Sequence, residues 1–176
     1  MLSPQSLSES DRRLVAAWAA DCAERVLPVF EAQGSGDARP ADAIARARAF
    51  SRGELDAAGE IRRRLEAGRA AHSVEDRAAA AAARAAAQAA GVAHMGAHAL
   101  GAAAYAARAV ELSGREPAPE IDWQLARMSP EVRAALRSLP ALGEDAAGPL
   151  GPGLLARGSL GATIRRIQTE LGRDPA

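Results

Sequence analysis

The chain has no lysine, no asparagine, a single cysteine and only 3% aromatic residues. Each shortage excludes something. One cysteine, Cys22, cannot close an internal disulfide, and its isolation fits a reducing compartment. With so few rings, the core has to be filled by Leu, Val, Ile and above all Ala. All 22 basic residues are therefore Arg, balanced by 22 Asp and Glu. A net charge of zero argues against a general phosphate-binding surface, so no nucleic-acid partner is expected. Long apolar runs are also missing. Nothing approaches the roughly 20 residues needed to span a bilayer, and Arg84 and Gln88 interrupt the alanine run near residue 80. The first ten residues are mostly polar and carry no secretory pattern. The expectation is a cytoplasmic protein that makes no membrane contact.

What is present is 48% hydrophobic and 25% charged residues in 176 positions, the balance of a globular chain able to bury a core. Alanine has the highest intrinsic helix propensity, but it buries little area, so helices must approach closely to gain from it. The excess of Ala, Gly and Pro with the absence of Lys and Asn reads as GC-rich coding bias, which lowers its weight as functional evidence. No alternating strand pattern and no phosphate-cradling glycine loop is found. The fold class expected is all-α, a compact bundle of about six to eight alanine-rich helices.

Along the chain, Ser8 is placed to cap a first helix starting near Asp11, with Leu14, Trp18, Cys22 and Val26 as its buried stripe. Pro28 kinks or ends it, and Phe30 packs beyond. After a loop at 33–37, a second helix carries Pro40 in its first turn and Ala43, Ile44, Ala47 and Phe50 inward. A third is predicted over 54–72, with Ala58, Ile61, Leu65, Gly68 and His72 as its stripe. Ser73 or Asp76 caps a fourth, and Gly91 and Gly96 favour a break before helical pattern resumes to Leu112. Short helices follow at 121–127 and 130–139, the latter capped by Ser129. From Pro140 to Gly158 there are three prolines and five glycines, a linker composition. A last amphipathic helix presents Leu160, Ile164, Ile167 and Leu171. The organisation expected is a bundle over 1–142, then a linker and C-terminal helix over 143–176.

Several stretches, DCAERVLPVFE (21–31), DARPADAIARARAF (37–50), RAAH (69–72), the segment from Ala82 to Leu112 and IDWQLARMSPEVR (121–133), carry a likeness in order and spacing. Its rarer positions include Cys22, Pro28, Phe30, His72, His94, His98, Tyr105, Trp123 and Gln124. Over roughly residues 10–140 the chain resembles the bacterial "putative immunity protein" family, small all-α proteins common in actinobacteria. The resemblance implies a role in neutralising a toxin, and it brings no catalytic residues with it. Beyond about Leu142 the sequence departs from the family core, so its tail could pack on its own chain, a second copy or a partner.

The residues able to carry chemistry are few. His72, His94 and His98 are the only histidines; the last two would share a face if their helix were continuous, with Tyr105 two turns on. His72 is expected to point inward. A metal ion on His94 and His98 would lack the third and fourth ligands that zinc sites use, and no cofactor is predicted. The HMGAH stretch also lacks the glutamate of the zinc-protease signature. The alternative roles are buried hydrogen bonds between helices, or a polar ligand pocket in which neutral histidines serve acid–base chemistry. Cys22 reads as core. Asp21 and Glu24 are expected to pair with Arg46 and Arg48, and Trp123 to plug one end of the bundle or to anchor an interface.

Three functions are consistent with these residues. One is an immunity-type factor that binds a protein toxin. Another is a small-molecule-binding protein or enzyme with His72, His94, His98 and Tyr105 lining a pocket between helices; Trp123 and Asp21 are further candidates for ligand or partner binding. The third is a homodimer formed through the C-terminal helix.

Overall fold

The computed structural model describes residues 3–33, 35–63 and 65–172, without the side chain of Ile61. The described residues form ten α-helices, one 3₁₀ turn and no strand. The class is all-α as expected, with more and shorter helices than the six to eight anticipated.

Helix α1 (Glu9–Glu24) starts where Ser8, in extended conformation, accepts a hydrogen bond from the Asp11 amide at 3.1 Å. Its inner face is Val15, Trp18, Ala19, Cys22 and Ala23; Leu14 is 40% exposed. The expected stripe drifts because residues four apart advance about 400° around a helix, leaving Leu14 about 120° from Val26. Pro28 does not kink α1 but sits in the first turn of a new short helix, α2 (Leu27–Glu31), which buries Phe30. Helix α3 (Arg39–Ser51) buries Pro40, Ala43, Ile44, Ala47 and Phe50, the face read from its periodicity.

The predicted third helix is two, α4 (Ala57–Arg63) and α5 (Glu66–Ala70). Asp56 Oδ1 accepts from the Gly59 amide at 2.6 Å, so the helix begins later than Glu54. Because α5 ends at Ala70, the stripe does not reach His72, which is exposed, not inward. The Ile61 side chain, placed by the sequence in the stripe, and Arg64 lie outside the described residues.

Helices α6 (Arg77–Gly91) and α7 (His98–Leu112) are the most extensively packed pair among the described residues. Asp76 Oδ2 caps α6 through the Ala79 amide at 2.7 Å. Their facing surfaces are almost wholly buried alanine and glycine, small residues that permit close helix packing. The break between them falls at residues 92–97, after Gly91. Helices α8 (Ala118–Ala126) and α9 (Pro130–Arg137) follow, the latter capped by Ser129. Trp18 is the fully enclosed indole, its Nε1–H donating to the Gln124 carbonyl at 2.9 Å.

The Gly- and Pro-rich stretch is tied down by a glutamine. Wholly buried Gln5 donates to Asp145 Oδ2 (2.8 Å) and the Ala147 carbonyl (2.6 Å) and accepts from the Leu150 amide (2.9 Å). Its own carbonyl takes the Ala97 amide, and Ser6 takes that of Gly96, each at 3.0 Å. One short N-terminal segment thus clamps both the α6–α7 turn and the 145–150 loop. Gly148, at φ +78°, lies against the Gln5 amide where any Cβ would collide. Leu150 and Leu155 are buried, and a 3₁₀ turn (Leu154–Ala156) leads into α10 (Gly158–Leu171). The apolar face of α10, Leu160, Ile164, Ile167 and Leu171, is buried in its own chain, chiefly on α7. No helix among the described residues is long and apolar enough to cross a membrane.

Candidate functional site: a groove across α5, α6 and α7

The tight α6–α7 packing is interrupted by one polar pair. Gln88 on α6 and His98 at the start of α7 meet at 2.8 Å, Oε1 to Nδ1. Two glycines make the room. A Cβ at Gly91 would lie 3.1 Å from the His98 ring, and one at Gly101 would lie 2.3 Å from Gln88 Oε1. An amide oxygen only accepts, so the imidazole donates from Nδ1 and keeps an acceptor lone pair on Nε2. Burial, aided by the nearby charge of His94, lowers the His98 pKa to about 4, so the ring is neutral at physiological pH.

His98 forms part of the wall of an open cavity of about 580 Å³, with His94, Met95 and Tyr105. Its far wall is the clamped segment, Gly148, Pro149 and Gly153–Leu155. Two further depressions adjoin it, of about 390 and 590 Å³, and Tyr105 lines all three. Together they form a groove that passes His72, Arg69 and Arg84. Tyr105 is itself buried, and desolvation holds its phenol above the ordinary tyrosine pKa, against the pull of Arg84. Leu65 and Leu154, 61% and 64% exposed, both border the first cavity.

The three histidines therefore share one groove without converging on one point. His94 lies in the turn, so it and His98 are not successive residues on one helix face. His72 borders the second and third depressions, away from the other two. Among the described residues, no group of three His, Cys, Asp or Glu is arranged to hold a metal.

Asp21 and Trp123 belong elsewhere. Asp21 accepts from Arg48 at 2.8 Å and pairs with Arg127 at 3.4 Å, and Arg48 also bonds Glu24. Arg46 turns away from that cluster to Glu60 and Glu66, contrary to expectation, because it lies on a different face of α3. Trp123 is no plug: it is half-buried, with the guanidinium of Arg25 stacked 4.1 Å from its ring and that of Arg127 at 5.6 Å. Arg25 in turn holds the buried carboxylate of Glu120 at 2.9 Å. Cys22, wholly enclosed, has its thiol pKa pushed up by burial and is an inert core residue.

Sequence reasoning missed Gln88, Met95, Leu65, Leu154 and Arg84 as groove residues. The usable signal was small. Gln88 is a lone amide in an alanine run, and Gly101 is a mid-helix glycine with no turn to explain it.

No curated protein and no solved structure matches the chain. A family model does, over residues 5–131, which cover α1 to α8 and the start of α9. The helices that build the groove lie inside that span, and its far wall, Gly148–Leu155, lies beyond it. The chain belongs to the Imm-5 like putative immunity protein family.

Proposed function

We propose that this protein is an immunity factor that neutralises a toxin by binding it, and that the groove across α5, α6 and α7 receives the toxin. Family membership supports the general role. The observation that carries the location is the pair of exposed leucines, Leu65 and Leu154, on a preformed cavity. Large apolar side chains held in water at the edge of a concavity are characteristic of binding surfaces. The test is co-expression with the toxins encoded beside the gene. Wild type is expected to rescue growth, Leu154→Asp to lose rescue, and Leu14→Asp, on another face, to keep it. Rescue by both variants would place the toxin elsewhere.

A second reading rests on the His98–Gln88 pair. A cavity of about 580 Å³ is within the range that holds small molecules, and a neutral imidazole offers one oriented acceptor. On this reading His98→Ala abolishes binding of the ligand or its turnover, with little change in rescue.

A further inference from the structure

We infer that the groove takes an acidic, partly apolar segment of the partner protein, with its carboxylates on Arg84 and Arg69 and an apolar side chain in the cavity beside Met95 and Leu154. The inference rests on the binding reading above and adds the chemistry of the partner.

The charge balance along the groove carries it. Across the whole chain, basic and acidic residues are equal in number, yet Glu75 is the one carboxylate lining the three depressions. Arg69, Arg77 and Arg84 line them too, and none has an ion pair among the described residues. Arg108 also lines the groove but is matched by Glu111 at 2.6 Å. Arg84 is the telling member. It is half-buried on α6 beside Tyr105, whose phenol feels its charge. A half-buried guanidinium with no carboxylate is a site already partly desolvated for one.

The dimensions favour a segment over a small anion. One small ligand would fill one depression, whereas three adjoin through Tyr105. The exposed leucines border the same depressions as the arginines, Leu65 with Arg69 and Arg84, and Leu154 with Arg77 and Arg84. Apolar and cationic surface thus lie side by side along the groove, as an acidic peptide with an apolar anchor requires.

The experiment is fluorescence anisotropy on the full chain with a short labelled peptide of repeated Glu-Glu-Leu. Peptides in which Lys replaces Glu, or Ser replaces Leu, serve as controls, as does a single-stranded oligonucleotide. The Glu-Glu-Leu peptide is expected to bind and to weaken with added salt. Arg69→Glu/Arg84→Glu should weaken it by about tenfold or more, a loss typical of reversing paired interface charges. Arg115→Glu, exposed and outside the groove, should not. Circular dichroism confirms that each variant keeps its helix. No binding, equal binding of the Lys peptide, indifference to the Arg69 and Arg84 changes, or tighter binding of the oligonucleotide would each overturn the inference. Rescue in cells separates it from the parent reading. If the Arg69→Glu/Arg84→Glu variant still protects, the acidic segment is wrong and immunity stands; if wild type protects against nothing, immunity fails whatever the peptide does.

Discussion

Where the end of α1 meets α3 and α8, each carboxylate has an arginine: Asp21 with Arg48 and Arg127, Glu24 with Arg48, Glu120 with Arg25. Along the groove of α5, α6 and α7, three arginines share one carboxylate and two leucines stand in water. Both regions use the same residue types, and both lie on alanine-rich helices. The difference is completion. In the first, charge and aromatic surface are consumed internally, so they hold the fold. In the second they are left over, and unfinished pairing on a preformed concavity is what a partner can complete.

That contrast can be broken at several points. Trp18→Ala, beneath the completed region, removes a buried indole and leaves the Gln124 carbonyl without its donor; a loss of about 3–5 kcal/mol is expected by denaturant titration. Arg25→Ala strips the partner from buried Glu120 and uncovers the Trp123 ring. It should cost roughly 1–3 kcal/mol by the same measurement.

His98 sharpens the comparison through pH. Its imidazole has a pKa of about 4 in the fold, lowered by burial and by His94, against an ordinary value of 6.5. Between those values the unfolded chain takes up a proton that the folded chain refuses, so stability falls as pH drops from about 6.5 to about 4. Melts of wild type and His98→Gln should diverge by up to about 3 kcal/mol across that window. Parallel curves would mean that the ring is not desolvated. Smallest of all, Arg84→Gln should shift stability by no more than about 0.5 kcal/mol, since no ion pair among the described residues is lost. A large loss there would show that Arg84 belongs to the fold and would remove the contrast between the two regions.

Much of the fold was legible because helix starts are local. Ser8, Asp76 and Ser129 each cap from three residues away, and Pro40 and Pro130 each occupy a first turn. Periodicity gave the inner faces of α3 and α10 correctly. It failed at α1, where a spacing of four drifts off the face, and at 54–72, where one pattern spans two short helices. Of the site, His94, His98 and Tyr105 were picked out as unusual, and all three border the groove. Asp21 and Trp123 were equally unusual, but they are spent on a network of arginines that no spacing could reveal.

The sequence by itself determined an all-α chain with tight helix contacts, the places where most helices begin, and the few bulky or polar residues that interrupt its alanine-rich stretches. These follow from propensity, capping and turn chemistry, which act within a few positions. Only the tertiary structure decided that Gln5 would clamp residues 145–150, so that Leu154 and Leu155 wall a cavity opposite Tyr105, and that Arg84 would have no ion pair among the described residues. Those outcomes depend on pairs more than a hundred residues apart, or on the absence of a pair, and neither leaves a period in the chain.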